Sequence, residues 1–177
     1  MTRRALLLLL LLSSAPACTR DSTTKKAKRI LALDDRRLTD VVSAWLVRPG
    51  AAETVSERTL GDVIRVFEIV GDTGLSPFVE DPAVTDPRPA FGGSVVSPER
   101  ARDSLVAVGL SQHAKVFTDL LSVRVDGHVP HATLLALEDR FRNLPDPAPT
   151  IAAYIRAHAA DIHLAKVNEK AVPSEVP

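Results

Sequence analysis

The chain has one cysteine, one tryptophan and one tyrosine, and its five phenylalanines bring the aromatics to only seven in 177 residues. A single cysteine excludes an intrachain disulfide. The formal net charge is zero, with 22 basic and 22 acidic residues, so no overall positive field recommends the chain to nucleic acid phosphates. After an opening apolar run, no segment is long or apolar enough to span a bilayer. There is no Gly-rich phosphate loop, nucleophile elbow, metalloprotease pair or CxxC. What remains is 45% hydrophobic residues and 25% charged ones, the make-up of a folded chain with a core of its own.

The zero net charge is a sum over unlike parts. Arg3 and Arg4 precede Ala5 and seven consecutive leucines; Ser13-Ser14-Ala15-Pro16-Ala17-Cys18 follows. This is the layout of an export signal: a positive end, a short apolar stretch about half the roughly 20 residues of a spanning helix, then small residues at a cleavage site. Residues 1–17 are therefore expected to be a signal peptide. Ala-Pro-Ala before Cys18 resembles a lipobox, although Ala15 stands where Leu is usual, and it marks Cys18 as the lipidation site. Two or three acyl chains on Cys18 would supply a stable anchor. Thr19 in place of Asp favours the outer membrane. The competing expectation is a soluble periplasmic or secreted protein.

Residues 18–30 contain Arg20, Lys25, Lys26, Lys28 and Arg29 against the single carboxylate of Asp21, and no bulky apolar side chain before Ile30. They read as a lipid-anchored, flexible basic tether. From Leu31 onward the balance reverses, with 15 basic and 21 acidic residues, a net charge of −6. Residues 31–171 are expected to form one domain, and 172–177 a disordered tail.

Six segments of that domain carry apolar residues at helical spacing. Leu38, Val41, Val42 and Trp45 make the first, opened by Asp34-Asp35 and closed by Pro49-Gly50. Leu60, Val63, Ile64, Phe67 and Val70 make the second, with Thr59 as its expected cap and Gly71 as its stop. Ala101, Leu105 and Val108 make the third, entered through Ser97-Pro98-Glu99 and ended by Gly109. Ser111 is expected to cap the fourth, whose face is Val116, Phe117, Leu120 and Leu121. Leu134, Leu137, Phe141 and Leu144 form the fifth; Ile151, Tyr154, Ile155, Ala159 and Ile162 form the sixth, opened at Pro149-Thr150. The fold class is all-α, a single bundle of about six helices. Leu75–Val96, with four prolines and two glycines between Pro77 and Gly93, is a long crossover beginning with a short turn at Pro77-Phe78-Val79. Phe78 and Phe91 are its expected anchors.

Asp126-Gly127-His128-Val129-Pro130-His131 gathers a carboxylate and two imidazoles within six residues. Asp-Gly is turn chemistry first. His158 and His163 are five residues apart, about 140° around a helix, and do not pair. The adjacent carboxylates Asp34-Asp35, Glu80-Asp81 and Glu138-Asp139 point about 100° apart and make no acid/base dyad. No catalytic residue, cofactor or metal site is expected from these patterns.

From Thr59 to Asp161 the order of segments resembles the bacterial DNA-mimic protein domain family, which is all-helical. The family's Asn-Gly-Gly-aromatic-x-Gln-aromatic motif falls on Asp72-Thr73-Gly74-Leu75-Ser76-Pro77-Phe78. Ser97 to Leu121 matches its two middle helices. Leu137-Glu138-Asp139-Arg140-Phe141 and Ala152-Ala153-Tyr154-Ile155 match its ending. The resemblance implies the fold, with Gly74, Leu75 and Phe78 retained as turn and packing members. The motif's Asn, first Gly and Gln are Asp72, Thr73 and Pro77 here, so any contact its polar members make in relatives is expected to be lost. DNA mimicry is not expected, since a −6 domain offers far less charge than a duplex at one phosphate per about 1.7 Å, and export puts it across a membrane from DNA.

The expected function is that of a non-enzymatic envelope lipoprotein, its helical domain binding a protein partner and its lipid the membrane, with no nucleic acid. Two alternatives stand beside it: an immunity or antitoxin-like protein, and a metal-dependent hydrolase built on Asp126, His128 and His131.

Overall fold

The computed structural model describes residues 17–48, 50–79 and 96–168, with side chains from residue 23 onward. The leader, the stretch 80–95 that contains Phe91, and the tail expected at 172–177 lie outside the described residues. Seven α-helices follow one another: α1 (Ala17–Leu31), α2 (Asp35–Leu46), α3 (Val55–Thr73), α4 (Pro98–Val108), α5 (Ser111–Val123), α6 (His131–Arg142) and α7 (Ala148–Ala157). Short 3₁₀ turns cover Ser76–Phe78 and Leu164–Lys166. The described chain is all-α, and the only strand-like pairing in it is one bridge between Val125 and His128.

The largest departure from expectation is at the start. Residues 18–30 are not a flexible tether: they form most of α1, and the helix is docked. Ile30 is fully buried, Ala27 and Leu31 pack against the core, and Lys26 Nζ donates to the Ala165 carbonyl at 2.8 Å. Lys-Lys-Ala-Lys-Arg is made of strong helix formers. Ile30, just past the tether's bulk-free stretch, supplies the apolar contact that a lone helix in water would lack. The packed body therefore starts before Leu31. Arg156 fastens the following turn by donating to the Leu31 and Leu33 carbonyls and pairing with Asp35 at 2.6 Å.

The apolar stripes place the other helices, but the caps move some of their ends. Asp34 caps α2, its carboxylate accepting from Arg37 N at 2.9 Å. α3 begins at Val55 rather than after Thr59, because Thr54 and Glu57 form a reciprocal capping box. It also runs past Gly71, which adopts ordinary helical geometry, and ends at Gly74, whose φ is +75°. α4 starts as expected at Ser97-Pro98, with Ser97 Oγ accepting from Arg100 N. It closes in a Schellman motif in which Gly109 (φ +95°) turns the chain and Leu110 N donates to Leu105 O at 2.8 Å. That turn delivers the chain directly into α5, so Ser111 is its first residue and not its cap. α7 starts at Ala148, held by Asp146 Oδ1, and ends at His158, so Ala159 and Ile162 belong to the turn beyond it.

α4 packs on α5, α3 on α4, α2 on α7, and α6 on α5. At the centre Phe67, Phe78, Phe117, Phe141 and His113 meet with ring centroids between 5.0 and 6.1 Å, edge to face except for the tilted Phe67–Phe141 pair. A chain poor in aromatics has put four of its phenylalanines in one place, where each large ring buries most area.

Candidate functional site

Gly74, Leu75 and Phe78, singled out in the sequence by a resemblance, are all buried. Gly74 turns the chain off α3 with its N–H on Val70 O. Leu75 N then donates at 2.7 Å to Oε1 of Glu138, a buried carboxylate on α6. A Cβ on Gly74 would collide with that carboxylate. Phe78 stacks its ring edge-on to Phe117 at 5.0 Å. This segment thus locks α3 to α6.

The histidines scatter. Asp126 (φ 50°) and Gly127 (φ 79°) make a two-residue turn between Val125 and His128, the left-handed geometry that Asp-Gly favours. His128 and His131 are exposed beside it. His158 stacks on Tyr154 at 4.0 Å and its Nδ1 lies 3.0 Å from the Tyr154 carbonyl. Among the described residues no three His, Cys, Asp or Glu side chains converge on a metal position. Nor is any described helix long and apolar enough to cross a membrane. Position 18 falls at the second residue of α1.

Sequence patterns missed the buried Glu57. Its Oε2 accepts from Glu53 N and Thr54 N at 2.8 and 2.9 Å, and its Oε1 accepts from His163 N and faces His163 Nδ1, both at 2.8 Å. Burial alone would raise this carboxyl, but the backbone donors of His163, Thr54 and Glu53 and the His163 ring hold it down at about 2. Lys166 extends the cluster by pairing with Glu53 at 2.6 Å. This arrangement fastens the last turn onto the start of α3. The Thr54-x-x-Glu57 spacing was visible in the sequence; the His163 partner was not.

A cleft of about 270 Å³ lies between the end of α2, the polar face of α3 and the start of α4. Arg58, Gly61, Asp62, Arg65 and Glu68 recur at helical spacing along α3 and form its floor, while Arg48 and Arg100 stand at its sides. Four guanidiniums thus face two carboxylates. Asp62 is held by Arg100 at 2.7 Å and Ser104 at 3.1 Å, and Arg58 donates to Glu53 O at 2.7 Å. Leu46, Ala52, Ile64 and Val96 supply an apolar lining. Oε2 of Glu68 is buried without a hydrogen bond, 3.7 Å from Arg65 Nη1. Burial pushes that carboxyl above its ordinary value, with Arg65 pulling the other way. Glu68 and Ile64 also line a second hollow on the side of α2 and α7.

Compared with known proteins, the chain matches no family model, no curated protein and no solved structure.

Proposed function

We propose that this chain is an exported lipoprotein of the bacterial envelope, held by acylated Cys18, and that its helical body binds a protein partner through the cleft beside α3. The observation that carries the binding reading is the cleft's lining. Guanidiniums stay protonated at any physiological pH and carry no nucleophile, so a wall of four suits holding an anionic group more than moving protons. The apolar lining next to them suits an amphipathic partner segment, with the charged groups setting register. The anchor reading is supported by the leader and the Ala-Pro-Ala-Cys junction.

Kinship with the DNA-mimic protein domain family is part of the same proposal, as fold ancestry only. Mimicry itself is left out because carboxylates that would have to stand free are paired: Asp62 with Arg100, Asp119 with Lys115 and Arg140, Asp35 with Arg156, and Glu53 with Lys166.

Two measurements test the reading. The intact mass of membrane-extracted protein is expected to equal the chain from Cys18 plus its acyl groups; a mass that retains the leader overturns the anchor. In-cell crosslinking is expected to give a partner adduct that Arg48→Glu with Arg58→Glu abolishes while helicity by circular dichroism is unchanged. An adduct indifferent to both charges removes the cleft from the reading, and no adduct at all removes partner binding.

A further inference from the structure

The helix that replaces the expected tether has a one-sided layout. At 100° per residue, positions 18, 25 and 29 fall within about 40° of a single line along α1. Ala27, packed on the core, lies about 160° around from both Lys25 and Arg29. Ile30, fully buried, shares the inward side. Lys25 and Arg29 therefore lie on the side of α1 opposite the core, and position 18 falls on the same line of the helix. Lys25, Lys28 and Arg29 are all exposed, with Lys28 about 60° from Lys25 on the flank. Lys26, on the other flank, is turned inward to the Ala165 carbonyl.

The charge of the whole chain is arranged in the same sense. The stretch Arg20–Arg29 holds five cations and the one carboxylate of Asp21, while everything from Leu31 onward is net −6. Near an anionic surface this distribution pulls the outer face of α1 down and pushes the rest of the body away.

From these observations we infer that α1 lies flat on an anionic lipid leaflet, Lys25, Lys28 and Arg29 against the headgroups, so that the body is held in one orientation on the membrane. The line shared with position 18 is what selects a lipid surface over an acidic protein as the partner of this face. Upright, the helix would lift Lys25 and Arg29 about 10 and 16 Å from position 18 at 1.5 Å per residue. Flat, all three meet the surface together. The identity of position 18 as the anchor comes from the proposed function; the cationic face and its opposition to the core do not.

The test uses the chain from Cys18 onward, which contains every buried side chain described. Its only thiol is alkylated with a tetradecyl maleimide, because one chain of that length gives marginal, reversible binding against which electrostatics can be read. Partition is measured into phosphatidylcholine vesicles and into vesicles containing phosphatidylglycerol. Tighter binding to the anionic vesicles is expected, weakening as salt is added. Each surface cation is worth roughly fivefold, so Lys25→Gln, Lys28→Gln and Arg29→Gln together should remove on the order of a hundredfold. Neutralising Arg102, Arg124 and Arg142 instead, on α4, after α5 and on α6, should change little. Equal binding to both vesicle types, or equal losses from the two triple variants, overturns the inference. Because alkylation replaces biological acylation, either result is independent of whether Cys18 is acylated in the cell.

Discussion

Oε1 of Glu57 accepts the backbone N–H of His163 and meets the ring Nδ1 of the same residue, both at 2.8 Å, across 106 positions of chain. One fully buried carboxylate thereby completes the cap of α3 and pins the final turn.

The pH dependence of stability follows from that contact. Glu57 is lowered from 4.5 to about 2 in the folded state, so its contribution is fully present above about 4.5 and is lost as pH falls towards 2. The shift corresponds to about 3 kcal/mol. Glu57→Gln is expected to lose roughly that much at neutral pH and to flatten the acid limb of a denaturation series. An unchanged acid limb would show that other carboxylates set it.

His113 acts in a second window. Burial between Phe67 and Phe141 lowers its basicity. The unfolded chain therefore takes up this proton first as pH drops below about 6.5, and stability declines with it. His113→Phe keeps the edge-to-face contacts without a titrating nitrogen. The variant's melting temperature should vary less between neutral pH and pH about 5 than that of the parent.

Two neighbouring glycines should respond in opposite directions. Gly71 is inside α3 with open space where a Cβ would stand, so Gly71→Ala should stabilise by about 0.5–1 kcal/mol. Gly74 has φ +75° and faces the Glu138 carboxylate, whose displacement would strand the Leu75 N–H. Gly74→Ala should cost about 2–4 kcal/mol, combining backbone strain with a lost buried hydrogen bond. Thermal melts of both variants decide it; equal effects would mean that α3 ends elsewhere.

A third glycine reports on the cleft. Gly61 has nothing within 4 Å of a potential Cβ and sits on the cleft floor. Gly61→Ala is expected to raise stability by up to about 1 kcal/mol while weakening the crosslinked adduct. Stabilisation with undiminished capture would place the partner off this floor.

The apolar stripes of α2 to α7 were legible in the sequence because each buries one face at regular spacing, and so was the turn at Pro77-Phe78. What escaped depends on contacts made far along the chain. α1 read as a tether because its docking rests on Ile30 and on Lys26 reaching Ala165. The start of α3 read five residues late because Val55, its first residue, is exposed and carries no stripe, while the Thr54–Glu57 box sets the end. Gly71 read as the stop because spacing alone cannot tell which glycine turns left-handed. For the site, the five α3 residues of the cleft floor were present at helical spacing. Only folding brings Arg48 and Arg100 to face them, just as only folding gives Glu138 to Leu75.

The docking of α1 on the turn at Leu164–Lys166 has one more consequence. Both ends of the packed chain meet there, with Lys26 on Ala165 and Glu57 on His163. Joined by a short linker between Asn168 and Thr23 and reopened at the Asp126-Gly127 turn, the circularly permuted chain should keep the same helices in the same places. The order in which this sequence is threaded matters less to its shape than the buckle that closes it.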